Sequence, residues 1–214
     1  MAEGARRGLF VTLEGGEGAG KSTQAQMLTQ RLHDAGYPVL LTREPAGMGL
    51  GRWLKELLEE GGPALEPLAE LLLFAAARAQ HVAEVIRPAL ERGDIVVCDR
   101  FSDSTLAYQG YGRGLDMELI RILNQAATGG IRPDLTLLFD VPPEAGLARK
   151  DRERVRDRIG TEAIAFHRRV RQGYLALARE EPERFLVVDA TLPAKDITER
   201  IWRCLEPLLS PHAA

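Results

Sequence analysis

The segment Gly15-Gly16-Glu17-Gly18-Ala19-Gly20-Lys21-Ser22 constrains this chain more than any other feature. It fits the phosphate-binding pattern G-x-x-x-x-G-K-[ST] and lies between an apolar run and a helical stretch. In such a loop the glycines let the backbone curl until successive N–H groups point at one phosphate. A helix starting at Lys21 adds the positive end of its dipole. Lys21 is expected to carry an exposed ammonium that packs little core and reaches the β- and γ-phosphates of ATP. Ser22 is expected to ligate Mg2+, with Thr23 beside it. The plainer alternative is a glycine-rich turn joining a strand to a helix.

The rest of the chain supplies the frame for that loop. Short apolar runs at Leu9–Leu13, Val39–Leu41, Ile95–Cys98, Leu135–Phe139 and Phe185–Val188 read as strands buried on both faces. Between them lie stretches with helical spacing at Thr23–Ala35, Trp53–Glu60, Leu68–Leu90, Leu119–Thr128, Ala163–Ala178 and Ile197–Leu209. Such alternation predicts right-handed βαβ units and an α/β fold with about five parallel strands. Pro88 is expected to kink or end the third helical stretch. With no repeat, no low-complexity tract and no linker, the 214 residues are expected to form one domain.

Composition narrows the partners. A formal net charge of -3 gives no reason to expect nucleic acid or an anionic membrane surface. Apolar runs fall short of the roughly 18 residues of a membrane span, and none suits a signal peptide. A cytoplasmic location is therefore expected. Cys98 and Cys204 have neither metal-ligand nor disulfide spacing, and Cys98 reads as a small buried residue at a strand end.

Phosphate-binding loops serve switches, motors and kinases alike, so the reaction must be read elsewhere. Arg43 follows the second strand and Arg100 the third, with Arg78 on a helix between them; ligands in such sheets bind at the strands' carboxyl ends. Arginine captures phosphate through two parallel hydrogen bonds. An acceptor that is itself a phosphate needs no base, only relief of anion repulsion, and arginines provide it. The alternative is that these are surface arginines at strand–loop junctions. Asp99 stands where an acid would hold Mg2+ or its water, or else caps a helix. Glu44, just past the second strand, keeps open a kinase acting on a deoxynucleoside hydroxyl, for which it would be the base.

Taken in order, several segments resemble the thymidylate kinase family. They are Leu13-Glu14-Gly15 with the phosphate loop, Thr42-Arg43-Glu44-Pro45, Leu73-Phe74-Ala75-Ala76-Ala77-Arg78 and Asp99-Arg100-Phe101. Asp103-Ser104-Thr105-Leu106-Ala107-Tyr108-Gln109-Gly110 and Asp189-Ala190-Thr191 complete the set. The resemblance implies a five-stranded P-loop kinase fold with helices on both faces, a homodimer, and transfer of the γ-phosphoryl group of ATP to dTMP in dTTP biosynthesis. It implies that Phe74 stacks on thymine, that Arg78 and Gln109 bond its edge, and that Arg100 holds the acceptor phosphate. Tyr108 would crowd the sugar's 2′ position, and Glu17 would lie near the 3′-hydroxyl. Arg43, Glu44 and Thr105 fall within the same dTMP-binding segments. Asp189, Ala190 and Thr191 would line the adenine end. By its composition alone Phe74, in a helix rich in alanine and leucine, reads as core.

The basic segment Arg149–Arg158 admits two readings, a solvated charged helix or a lid at about 149–160 closing over ATP. Gly18 occupies the loop position where some thymidylate kinases carry a catalytic arginine, and those with glycine there have a basic lid. The resemblance thus implies that Arg149 and Arg158 close on the phosphates and that Arg152 and Arg154 join Lys21 and Arg100 in the transfer.

Overall fold

The structure, a computed structural model, describes residues 8–45, 49–58, 64–152 and 159–209, and for 151 and 152 the backbone alone. Five strands form one sheet: β1 (Phe10–Gly15), β2 (Val39–Arg43), β3 (Ile95–Asp99), β4 (Leu135–Asp140) and β5 (Phe185–Asp189). Their order across the sheet is β2-β3-β1-β4-β5, and every pairing is parallel. The helices are α1 (Lys21–Asp34), α2 (Leu50–Leu57), α3 (Pro67–His81), α4 (Arg87–Glu91), α5 (Ser102–Thr105), α6 (Met117–Thr128), α7 (Pro143–Arg152), α8 (Ile164–Glu180) and α9 (Ala194–Leu209). The limits of the five strands and of the six helical stretches read from apolar spacing fall within a few residues of those expected; α5 and α7 were not among them.

In the central strands β1, β3 and β4 the continuous apolar runs match coverage of both faces, whereas the edge strands β2 and β5 depart from that expectation and leave Leu41 and Val187 exposed. Val11, Leu13, Val97 and Leu137 point to one face, where Leu28 and Leu32 of α1 and Ile201 and Leu205 of α9 pack on them. On the other face, Phe10, Val96 and Cys98 meet Val82, Ile86 and Leu90, while Leu138 meets Tyr108, Val170 and Tyr174. Cys98 is fully buried, as its position in an apolar strand suggested.

Pro88 acts one turn earlier than a simple kink. Residues Val82–Ile86 form a π-helical segment between α3 and α4, and the Arg87 N–H bonds to Val82 five residues back. Proline has no N–H to continue the regular ladder, so the register shifts before it and the helix runs on. A second π-helical segment, Leu106–Gly112, follows α5; the spacing pattern did not indicate helix there. Gly110 and Gly112 interrupt that pattern because neighbours fill the space of their side chains. A β-carbon on Gly110 would lie 2.3 Å from Met117 Sδ, and one on Gly112 2.6 Å from Phe166.

Register places the polar strand ends together. Asp99 is level with both Leu13 and Arg43, Gly15 with Phe139, and Asp140 with Asp189. The central strands therefore deliver the phosphate loop, Asp99 and Arg43 to one carboxyl edge.

Candidate active site

At that edge opens a cleft of about 1130 Å³. Gly18–Thr23 line one end, while Phe74, Arg78, Thr105 and Gln109 line the other, with Arg43, Asp99, Arg100 and Tyr108 among the residues along it. Gly20, at φ 82°, enters α1, whose first N–H groups face the loop. Lys21 is not exposed as expected: it is 7% exposed, and its ammonium donates to the carbonyls of Gly15 (3.0 Å) and Gly16 (2.7 Å). The curl of the loop aims those carbonyls inward and holds the lysine over the cradle. Burial, reinforced by Arg100, pushes the Lys21 pKa down to about 8, although Asp99, Glu17 and Glu14 oppose the change.

Asp99 does not cap a helix. Its Oδ2 accepts from Ser22 Oγ at 2.6 Å and from Arg43 Nη2 at 3.0 Å, and Arg43 also donates to Ser22 Oγ at 2.8 Å. Burial would raise the Asp99 pKa, but Lys21, the Ser22 hydroxyl, Arg100 and Arg43 hold it below its ordinary value. Arg43 itself is half exposed, yet its head lies in the cleft rather than in free solvent.

Arg100 stands at the crossing of both ends. It is the one non-glycine described with a left-handed backbone, φ 71°, a conformation costing on the order of 1–3 kcal/mol. Its N–H is fixed to the Leu13 carbonyl at 2.9 Å, so the turn throws the guanidinium into the cleft. Nη2 donates to Glu17 Oε1 at 2.7 Å and to the Tyr108 hydroxyl at 3.1 Å, and Nη1 donates to the Gly15 carbonyl at 3.1 Å. Glu17 also accepts from Tyr108 (2.9 Å) and Lys150 (2.7 Å). Burial would raise Glu17, but Arg100, Lys21 and Lys150 hold it far below the usual carboxylate range. Glu17, like Asp99, is thus held as an anion, here among the three cations Arg100, Lys21 and Lys150.

Beneath Arg100 lies Glu14, which sequence reasoning noted only as part of a motif. It is fully buried at the end of β1. It accepts from the Phe101 N–H (2.8 Å), the Ser104 hydroxyl (2.6 Å) and the Tyr174 hydroxyl (2.9 Å). Burial, then the charge of Asp103, push its pKa up to about 7. Ser104 in turn touches Arg100 Nη1 at 3.3 Å.

At the far end, Glu70, Phe74 and Arg78 recur every four residues and share one face of α3. Arg78 is 2% exposed, not a surface arginine. It donates to Glu44 (2.9 Å), Asn124 (2.7 Å) and the Phe101 carbonyl (3.1 Å). Glu44 is held on its other oxygen by His81 at 3.1 Å, so both carboxylate oxygens already have a protein partner. Phe74 is half-buried against Leu54 and Leu58, as its place in an apolar helix suggested, and it also lines the cleft. Buried Gln109 gives its amide nitrogen to Glu70 at 2.9 Å.

Asp189, Ala190 and Thr191 lie beyond the cleft lining; Asp189 accepts from the Thr191 N–H and hydroxyl at 2.9 and 2.6 Å. Arg149 links the two regions, lining the cleft and donating to the Ala190 carbonyl at 3.0 Å. The side chain of Arg152, and Arg154 and Arg158 entirely, lie outside the described residues. Lys150, whose only signal was its place in the basic segment, closes on Glu17.

A parallel sheet with a phosphate-binding loop on its central strand, and arginines gathered at that strand's carboxyl end, defines a P-loop kinase fold. A model of the thymidylate kinase family matches residues 13–201, and the chain belongs to that family. It is 57% identical over 201 residues to a thymidylate kinase of Synechococcus sp. (strain JA-2-3B'a(2-13)), covering 94% of this chain and 96% of that protein. Identity to the thymidylate kinase of Deinococcus radiodurans is 53% over 196 residues, covering 92% and 95%. A crystal structure of thymidylate kinase from Ehrlichia chaffeensis superposes with a TM-score of 0.77 at 34% identity, covering 93% of this chain and 99% of that one.

Proposed function

We propose that this cleft transfers the γ-phosphoryl group of ATP to dTMP, giving ADP and dTDP on the route to dTTP. One observation carries the reading beyond family membership. Arg100 stands between a phosphate cradle and a pocket formed by an aromatic ring, a buried arginine and an amide. Two anions must approach head-on for an acceptor phosphate oxygen to bond the γ-phosphorus while the bond to the β-phosphate oxygen breaks. Lys21 is placed for the donor phosphates and Arg100 for the acceptor phosphate, and their charges offset the repulsion. Phe74 supplies a stacking face worth about 1–3 kcal/mol for a base. Arg78 and Gln109 address its edge, and Thr105 and Tyr108 wall the sugar side.

Ser22 and Asp99 fit Mg2+, because they join two hard oxygen donors 2.6 Å apart with a carboxylate kept ionised. The Arg43 guanidinium drawn onto the same two oxygens supports the attraction of that spot for a cation. When bound, Mg2+ would neutralise charge on the transferring phosphates. With the cation held by Ser22 and Asp99, Arg43 would be free to serve the acceptor phosphate.

The whole chain serves as one nucleoside monophosphate kinase domain, with 149–160 as a lid. Arg149, already against Ala190, anchors the lid near the adenine end, and Arg152, Arg154 and Arg158 bring charge to the phosphates. Leu68 and Leu72 of α3 and Leu119 and Ile122 of α6 are exposed on helices that touch each other, a face suited to a homodimer. No described helix is long and apolar enough to cross a membrane, and we assign the protein to the cytoplasm. The test is turnover with ATP against dTMP, dUMP, dCMP, thymidine and AMP. Preferred phosphorylation of dTMP supports the proposal; preference for thymidine, or ATP hydrolysis without transfer, overturns it.

A further inference from the structure

Gln109 is almost completely buried, yet among the described residues only one side of its amide has a partner. Its Nε2 donates to Glu70 Oε1 at 2.9 Å. Among the described residues no donor reaches its carbonyl oxygen, and that oxygen is not one of the enclosed polar atoms left without a partner. Because Gln109 lines the cleft, the oxygen is open to a ligand there.

An amide can present either end, and what chooses the end is its neighbour. Glu70 is 1% exposed, and Arg113 grips it through Nη2 at 3.1 Å and Nε at 3.3 Å. Arg113 also pairs with Glu162 and lies over the Phe166 ring at 4.8 Å. An ionised carboxylate accepts hydrogen bonds and donates none. It therefore pins the amide nitrogen of Gln109 to itself and turns the carbonyl oxygen toward the cleft.

We propose that Glu70 is the positioning residue that sets base identity: by locking the Gln109 carbonyl toward the ligand, it selects pyrimidines whose ring nitrogen carries a hydrogen. Thymine and uracil offer such an N–H, whereas cytosine offers a lone pair at the same ring position, which would face another lone pair. This inference rests on the reading of the cleft as the dTMP site and adds a residue that touches no substrate. Its place on α3, four residues before Phe74 and eight before Arg78, puts the control on the same helix face as the base pocket.

The experiment compares kcat/KM for dTMP and dCMP in the wild type and in Glu70→Gln, which keeps the shape but lets the Gln109 amide turn over. The dTMP:dCMP ratio should fall about tenfold or more, the scale of one hydrogen bond, while the KM for ATP stays put. A variant in which both pyrimidines lose equally, with the ratio unchanged, makes Glu70 merely structural and overturns the proposal. Should Glu70→Gln fail to fold, Glu70→Leu with Arg113→Met removes the buried ion pair as a whole and must lower the ratio likewise. The wild type also serves alone, with a dTMP analogue bearing C–H at the ring N–H position. Phosphorylation of that analogue as efficient as that of dTMP sinks the proposal. Failure of the wild type to phosphorylate dTMP at all would instead reject the reading of the cleft.

Discussion

Gly18 and Gly146 meet backbone to backbone: a β-carbon on Gly18 would lie 1.9 Å from the Gly146 carbonyl oxygen. The reverse approach is as close, with a β-carbon on Gly146 falling 2.2 Å from the carbonyl oxygen of Glu17. Gly18 also has φ 62°, where any side chain costs about 1–2 kcal/mol before contacts are counted. The phosphate loop is thus seated directly on α7, the helix that leads into the basic segment.

This contact makes the loop and α7 one unit. Gly18→Ala should lower Tm by about 5 °C or more, since a kcal/mol is worth about 2–4 °C at this chain length. Gly18→Arg should lose ATP affinity rather than gain a catalytic arginine, because α7 must move first. Gly16→Ala is the control: nothing lies within 4 Å of its added β-carbon, so Tm should hold. Thermal denaturation and the KM for ATP decide it, and equal Tm values for the two alanine variants would refute the account.

Lys21 predicts a pH dependence of its own. Burial, then the Arg100 charge, lower it from 10.5 to about 8, so the free enzyme loses this cation as pH rises through about 8. The ratio kcat/KM for ATP, which reports the free enzyme, should fall about tenfold per unit above that pH. At saturating ATP the phosphates favour the ammonium, so the matching limb in kcat should lie higher. The depressed pKa also means that the charged lysine costs stability below pH 8. Lys21→Met should accordingly be inactive with Tm at pH 7 unchanged or higher. A kcat/KM profile flat to pH 9.5 would show that the Lys21 ammonium keeps a near-ordinary pKa in the free enzyme, and loss of activity in Lys21→Met would then be the separate measure of its part in phosphate binding.

How far the site could be read from the sequence depended on whether its determinants were local. The phosphate loop was legible because eight consecutive residues define it, and the central strands because burial on both faces leaves unbroken apolar runs; β2 and β5, at the sheet edges, are apolar without that coverage. What Lys21 does with its charge was not legible, since its partners are carbonyls that a folded loop turns inward. Glu70 carried no signal: in an alanine- and leucine-rich helix one acid looks like a solvated position. It earns a buried place only because Arg113, on the far side of a π-helical segment, meets it. That segment was itself obscured by Gly110 and Gly112, which mark close packing there rather than a break. Lys150 was hidden in a charge run that composition alone assigns to solvent.

Arg78 should separate binding from stability. Its three acceptors, Glu44, Asn124 and the Phe101 carbonyl, form a fork that a lysine cannot match. Arg78→Lys should raise the KM for dTMP at least tenfold and leave that for ATP within about twofold. Arg78→Ala strands the Glu44 carboxylate inside the protein and should cost about 3–5 kcal/mol. Steady-state kinetics on both substrates and denaturant unfolding measure these effects. A rise in both KM values together would show that Arg78 supports only the fold.

Glu14 offers a test in which stability moves against the usual direction for a carboxylate. Burial and the neighbouring Asp103 raise it from 4.5 to about 7, so between those values the folded protein keeps a proton that the unfolded chain releases. Its contribution is therefore fully present below about pH 4.5 and is lost as pH rises through about 7. Glu17 and Asp99, both lowered, act oppositely and lose stability as pH falls. The wild-type curve mixes the two, so a difference is needed. Glu14→Gln imitates the protonated acid: its carbonyl can accept from the Phe101 N–H, and its amide can donate to Ser104 or Tyr174. Relative to wild type, Glu14→Gln should gain stability as pH rises from 5 to 8, by on the order of 3 kcal/mol for a shift of this size. Turnover should stay within a few fold, because Ser104 still meets Arg100. Glu14→Ala removes the acceptor of the Phe101 N–H together with those contacts, and should lower both stability and kcat. Unfolding curves for wild type and Glu14→Gln that run parallel across this pH range would show that Glu14 keeps an ordinary pKa in the folded protein.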